Sequence, residues 1–217
     1  LHPEWLLLLE VGLERVLNSS SQRLHKFFEG EEGEFIETIR NFDVIPEIRR
    51  FVYDSPIADL VGKIIGSENL WLYSDEFFVK DRGNAERTPW HQDQPYYLCQ
   101  GEQTVSFWVP LDYIPRDRSI EFIAGSHAWD KNFKPQRFDG SDLFEGDKSE
   151  VVPDVDNMRD KFNILGWEME PGDAVAFHFR TLHGAPANSS KSRRRVISIR
   201  WVGEDAKFVK RLGPTSP

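Results

Sequence analysis

Apolar positions in the first third of the chain recur at helical spacing. Trp5, Leu8, Leu9, Gly12, Leu13, Val16 and Leu17 share one face at 3.6 residues per turn, and Pro3 suits a first turn. The polar run from Asn18 to Ser21 ends this helix, and a charged, glycine-containing connector follows at Glu29 to Glu34. Ser55-Pro56 supplies a cap and a first-turn proline for a second helix reaching about Ile65, with Gly66 as its stop. Each helix has one apolar face, so each is expected to cover something.

From Asn69 the period changes. Leu70 to Val79, Thr104 to Leu111, Ser119 to Ile123, Ala174 to Phe179 and Val196 to Val202 are rich in strand formers. Pro110, Pro115, Gly125-Ser126, Pro171-Gly172-Asp173, Gly184 and Pro186 punctuate them. Helices followed by many short strands predict an α+β domain whose sheets form a sandwich or jelly roll. We expect one domain over residues 1–217, with 1–68 mainly helical support and 69–203 the jelly-roll core. The polar, acid-rich stretch 131–161, broken by Pro135, Gly140, Gly146 and Pro153, is expected to be a lid or pocket wall.

Composition narrows the partners. The 217 residues carry a formal net charge of −9, which argues against nucleic acid or an anionic membrane surface. The longest apolar run, Trp5 to Leu9, is too short to span a bilayer, and no signal-peptide pattern opens the chain. Cys99 is the single cysteine, which excludes an internal disulfide and a thiolate metal cluster and fits a cytoplasmic setting. A small-molecule substrate is the partner this leaves. Nothing in the pattern sets an oligomeric state.

The chemistry centres on Trp90-His-Gln-Asp93. Residues two apart on a strand point to one face, so His91 and Asp93 would reach a single ion together. A third donor must come from His127, His178 or His183. His127 begins the long loop and reads as a turn residue, and His178, between Phe177 and Phe179, reads as a histidine bonded near the core. His183 stands just beyond a strand, with Gly184 permitting close backbone approach. His91, Asp93 and His183 would make the two-histidine, one-carboxylate set of non-haem Fe(II) oxygenases. Spacing alone does not separate such a site from a polar bend. The basic run Lys191 to Arg195 leads into a strand on which Arg194, Val196, Ser198 and Arg200 share one face. Ile197, Ile199 and Trp201 share the other, which should pack under the helices. Arg193 and Arg195 read as solvated. Arg194 and Arg200 would be roughly 20 Å apart along the strand, so they cannot serve one anion, and Arg194 is the one expected near the metal.

These residues fall into an ordered series. Trp90-His-Gln-Asp93 is followed by Ser106-Phe-Trp-Val-Pro-Leu-Asp112 and Glu121-Phe-Ile-Ala-Gly-Ser-His127. Glu170-Pro-Gly-Asp173, Phe177-His178, His183-Gly184 with Asn188, and Arg194 complete it. In this series the chain resembles the phytanoyl-CoA dioxygenase (PhyH) family of Fe(II)- and 2-oxoglutarate-dependent oxygenases, over about Asn69 to Val202. The resemblance implies a double-stranded β-helix, a cupin-like barrel with the site in its mouth and the N-terminal helices packed on one sheet. It implies that His91, Asp93 and His183 hold iron, that Arg194 pairs with the distal carboxylate of 2-oxoglutarate, and that Trp108 lines that pocket. It implies use of O₂, release of succinate and CO₂, and hydroxylation of an unactivated C–H bond, the Asp93 carboxylate favouring hydroxylation over halogenation. Gln94, Tyr96, Tyr97 and Trp129 with the loop after it stand as substrate contacts, although Tyr96 and Tyr97 read equally as packing. The chain departs from the family at Pro115-Arg-Asp-Arg-Ser119, where an Asn-Gly turn is more usual, and at Ala185, where some members have a serine. Two other readings remain open: a non-catalytic jelly-roll binding protein, and a cupin-like metalloprotein without 2-oxoglutarate.

Overall fold

Helix α1 (Pro3–Leu17) buries Leu9, Gly12, Leu13 and Val16, the face its periodicity marks. Helix α3 (Ile57–Ile65) begins where the Ser55 hydroxyl accepts the Ile57 amide, and it stops at Gly66, whose φ of 66° suits glycine. Between them stands α2 (Pro46–Asp54), with Ile48, Phe51 and Val52 buried. Its approach is shaped by the buried carboxylate of Asp75, which accepts from the Asn41 amide at 3.0 Å and the Phe42 amide at 2.8 Å. No sequence period announces such a turn, because its anchor lies 34 residues away.

The computed structural model describes residues 1–19, 23–27, 33–83, 87–137 and 141–211. Ser20 and Ser21, residues 29–32 of the expected connector, and Gly140 lie outside them. The strands are β1 (Leu24–Phe27), β2 (Phe35–Ile39), β3 (Trp71–Lys80), β4 (Thr88–His91), β5 (Cys99–Gln100) and β6 (Thr104–Pro110). They continue as β7 (Glu121–Ile123), β8 (Ile164–Leu165), β9 (Val175–Phe177), β10 (His183–Ala185), β11 (Arg194–Val202) and β12 (Lys207–Phe208). A six-stranded sheet runs β1-β2-β3-β11-β6-β9, a four-stranded sheet runs β4-β10-β7-β8, and β12 pairs with β5. The pairings are antiparallel. The first third is therefore not helical throughout: β1 and β2 extend the large sheet, β2 pairing directly with β3.

The two sheets face each other across Trp108, Phe122, Phe177 and Val196, forming a double-stranded β-helix. The outer face of the large sheet, with Phe77, Ile197, Ile199 and Trp201, packs under Leu9, Leu13, Ile48 and Phe51 of the helices. Strand β11 thus separates its residues as alternation requires, Arg194, Val196, Ser198 and Arg200 inward and the aliphatic set outward. Arg195 is not simply solvated. Its guanidinium pairs with Asp112 and with Glu10 of α1, both at 2.8 Å, pinning the helix to the sheet. Ile199 is fully buried, so Ile199→Val, which removes one methylene, is expected to cost about 0.5–1.5 kcal/mol by urea denaturation.

The 131–161 stretch carries isolated bridges, such as Phe133 with Glu150, and a 3-10 turn, Asp156–Lys161. That turn is tied to β7 by Arg159, which donates to Glu121 at 2.8 and 3.0 Å. Among the described residues no helix is long and apolar enough to cross a membrane.

Candidate metal centre

β4 and β10 pair so that His91 stands opposite His183, their ring centroids 4.2 Å apart. Gly184 makes this approach feasible, since a Cβ there would lie 3.1 Å from the Thr88 carbonyl and 3.3 Å from the Trp90 ring. Asp93 reaches the same spot by a different route from the expected one. β4 ends at His91, and the chain turns at Asp93 (φ −69°, ψ −41°) into a 3-10 turn, Gln94–Tyr96. A turn, not strand alternation, brings the carboxylate beside the imidazoles. Its Oδ1 lies 3.7 Å from His91 Nε2 and 3.8 Å from His183 Nε2. One donor atom from each of the three residues falls within 4.8 Å of the others.

The remaining atoms of the three side chains are already engaged. Nδ1 of His91 lies 2.8 Å from the Pro89 carbonyl, and Nδ1 of His183 lies 2.8 Å from the Thr181 carbonyl. A carbonyl only accepts, so each Nδ1 carries the proton and the lone pair of the neutral ring sits on Nε2, facing Asp93. Burial, with His91 beside it, pushes the His183 imidazole down to about 3, so it stays neutral. Burial alone would raise the Asp93 carboxyl, but Arg200 and the two imidazoles hold it well below the usual carboxylate range. Two free imidazole nitrogens and one ionised oxygen, converging with their outer atoms tied back, fit a divalent metal of the non-haem iron type. The cluster is open on one side: His91 is 22% exposed, against 6% for His183.

The guanidinium beside this cluster is that of Arg200, not Arg194. Arg200 Nε stands 3.6 Å from Asp93 Oδ2, while Nη1 pairs with Glu76 at 2.7 Å. Arg194 begins β11 on the other side of the apolar cluster formed by Trp108, Phe122, Phe177 and Val196. It is buried and donates to the Arg118 carbonyl at 2.6 Å and the Pro186 carbonyl at 3.3 Å. Among the described residues no carboxylate pairs with it, and burial with Arg118 nearby lowers it to about 10. It lines a small cavity of about 80 Å³ with Arg118 and Arg193. A buried cation without a counter-charge is costly. Phe177, from that apolar cluster, packs against the centre, its ring centroid 4.6 Å from that of His183.

The four residues expected at a substrate hold other things. Gln94 donates to Asn132 at 3.0 Å, and the Tyr96 hydroxyl donates to the Gln136 carbonyl and accepts its amide. Gln92 joins them, accepting the Phe133 amide at 2.9 Å. These side chains fasten the long loop to the segment that carries His91 and Asp93. Tyr97 packs on Tyr73 and Phe179. Trp129 packs on Phe133 and Phe162 in the cluster with Trp90. Trp90 and His91 are successive on β4, so Trp129 sits on the opposite face of that strand from the cluster. Of the four, Tyr96 meets the centre with its ring edge on His91 at 5.8 Å, and Tyr97 meets it with its phenol beside the Asp93 carboxylate. Tyr96→Phe removes the phenol oxygen that accepts the Gln136 amide and donates to its carbonyl, so a stability loss of about 1–2 kcal/mol is expected. Faster hydrogen exchange at the Gln136 amide would report it.

Sequence reasoning missed Ser106 and Glu76 and misjudged Arg200. The Ser106 hydroxyl donates to Asp93 Oδ2 at 2.7 Å. An acid inside the apolar strand Trp71–Lys80 and an arginine on the inward face of β11 were the available signal, since buried charges come in pairs.

The model of the phytanoyl-CoA dioxygenase (PhyH) family matches residues 12–196. A probable phytanoyl-CoA dioxygenase of Caenorhabditis elegans is 25% identical over 200 residues, covering 88% of this chain and 61% of that protein. A probable alpha-ketoglutarate-dependent hypophosphite dioxygenase of Stutzerimonas stutzeri is 25% identical over 190 residues, covering 82% and 62%. This chain thus spans about three-fifths of the length of these curated relatives. Among solved structures, the epimerase SnoN in complex with Fe3+, alpha ketoglutarate and nogalamycin RO superposes with a TM-score of 0.75. It is 20% identical, over 97% of this chain and 78% of that one, a likeness of fold.

Proposed function

We infer the activity of this chain from its family: it belongs to the phytanoyl-CoA dioxygenase (PhyH) family. We propose that it is an Fe(II)- and 2-oxoglutarate-dependent oxygenase that hydroxylates an unactivated C–H bond of a small molecule, releasing succinate and CO₂. The observation that carries this reading is the convergence of His91 Nε2, His183 Nε2 and Asp93 Oδ1, with both Nδ1 atoms tied to backbone carbonyls.

In this reading His91, Asp93 and His183 would hold the iron and Arg194 would hold the distal carboxylate of 2-oxoglutarate. Bound iron supplies the activation of O₂ that couples loss of CO₂ from 2-oxoglutarate to oxidation of the substrate. The chain's own contribution is orientation and exclusion of water. The Pro89 and Thr181 carbonyls fix the tautomers and ring planes of the two imidazoles. Trp108, Phe122 and Phe177 would line the cosubstrate between the two ends, keeping water from the ion pair at Arg194. Ala185 offers no hydroxyl there, a loss of one hydrogen bond of order 1 kcal/mol. Tyr96, at the open side of His91, would form a wall of the substrate space.

The relatives' names range from phytanoyl-CoA to hypophosphite, and the net charge of −9 does not favour the phosphates of a CoA ester. We therefore carry over the reaction and not the substrate. The lone Cys99 supports a cytoplasmic setting. Calorimetry on metal-free protein, with Fe(II) added under argon, tests the proposal. Saturable 2-oxoglutarate binding that requires the metal, with a visible charge-transfer band, is expected. Protein that binds metal but no 2-oxoglutarate would be a cupin-like metalloprotein instead, and protein that binds neither would be a non-catalytic module.

A further inference from the structure

Arg200 is buried in the barrel with the two carboxylates it contacts, Glu76 and Asp93. The side chains of Arg200, Glu76 and Asp93 are 7%, 6% and 4% exposed. Its place is over-determined. β11 runs between β3 and β6, Nη1 meets Glu76 Oε2 at 2.7 Å, and the guanidinium carbon lies 5.4 Å from the centre of the Tyr97 ring. Its Nε lies 3.6 Å from Asp93 Oδ2, and neither Nε nor Nη1 has an aligned hydrogen-bond acceptor, so the contacts with Asp93 and Glu76 are ion pairs.

Register explains why Asp93 meets this group. Arg200 pairs with Ser106 across β11 and β6, so the two stand side by side on the inner face of the sheet. Ser106 Oγ donates to the same Oδ2 at 2.7 Å, and the Tyr97 phenol lies beside the carboxylate. One oxygen of Asp93 is thereby claimed by the sheet. The other, Oδ1, is left facing His91 and His183. A carboxylate without such a hold can chelate through both oxygens, which would consume a position that a two-histidine, one-carboxylate centre leaves open.

We propose that Arg200 is a positioning residue: clamped by Glu76 and Tyr97, it holds Asp93 Oδ2 together with Ser106, so that Asp93 presents Oδ1 alone to the metal. This rests on the reading of His91, Asp93 and His183 as the metal ligands. It assigns the second inward arginine of β11 to the metal carboxylate, separate from any task of Arg194 at the far end of the same strand.

The test uses Mn(II) and Co(II) as the only ligands. Arg200→Met alone strands Glu76 as a buried unpaired charge and could unfold the protein, so Arg200→Met is combined with Glu76→Gln, which removes both charges. Calorimetric Mn(II) affinity of the double variant, with its fold checked by circular dichroism, is expected to fall about 10–100-fold, as is usual when an outer partner of a ligand is lost. The ligand-field spectrum of the Co(II) protein should change with it. Arg200→Lys should recover part of the affinity, and Glu76→Gln alone should lose less than the double variant. A folded double variant with wild-type affinity and an unchanged Co(II) spectrum would overturn the proposal, leaving Arg200 as the counter-ion of Glu76 only. An equal loss in Glu76→Gln alone would do the same. Wild-type protein that took up neither metal, or took it up equally after His91→Ala, would overturn the ligand assignment itself and the role of Arg200 with it.

Discussion

Asp93→Asn is expected to lower 2-oxoglutarate-dependent succinate release on the order of 1,000-fold, about 4 kcal/mol of barrier. The amide matches the carboxylate in volume, so the turn at Asp93 and its packing against Ser106 are retained. What disappears is the negative charge between the two imidazoles, the one anionic donor of the converging set. Two imidazoles alone would hold a divalent ion far more weakly. Metal-dependent stabilisation should therefore vanish as well. At metal concentrations 100 times the dissociation constant a binding site contributes about 2.7 kcal/mol of stability, visible as a rise in melting temperature. Wild-type protein should show that rise with Mn(II) and Asp93→Asn should not. A variant that kept the metal-induced shift and a tenth of the turnover would remove Asp93 from the ligand set.

Arg194→Met is expected to raise the KM for 2-oxoglutarate about 100-fold while leaving metal affinity nearly unchanged. A charge-assisted hydrogen bond contributes about 1.5–3 kcal/mol, and a guanidinium can make two to one carboxylate. Arg194 is suited to this because it is buried without a carboxylate partner among the described residues and is already oriented by the Arg118 and Pro186 carbonyls. The separation of effects is the informative part: across the apolar cluster from the metal, its loss should weaken the cosubstrate without weakening the ion. Steady-state kinetics in 2-oxoglutarate with parallel Mn(II) titration reads both. An unchanged requirement for 2-oxoglutarate would detach Arg194 from the cosubstrate, and no requirement in either protein would favour a metalloprotein without it.

Much of the frame was legible in the residues because its causes are local. Ser55, Pro56 and Gly66 bracket α3 by their own backbone preferences, and the alternation of β11 sorts Arg194 and Arg200 inward from Ile197, Ile199 and Trp201 outward. β1, β2, β5, β8 and β12 were not legible. They have two to five residues each, too few for a period to show, and they exist because a neighbouring strand completes their hydrogen bonds. The long loop divided in the same way. Its composition raised the expectation of a lid or pocket wall, while its attachment to Gln92, Gln94 and Tyr96 depends on atoms about 40 residues apart meeting in space.

The sequence by itself determined which donors the protein owns: two histidines and an aspartate in an ordered motif series, a buried-strand arginine beyond them, and a single cysteine, too few for a thiolate metal cluster. Residue type settles what an atom can donate or bind, and motif order settles the family. Only the tertiary structure decided how those donors point. The turn at Asp93, the pairing of β4 with β10 and the side-by-side placement of Ser106 and Arg200 are cross-chain geometry. A carboxylate has two equivalent oxygens, and which of them faces the imidazoles is set by what holds the other.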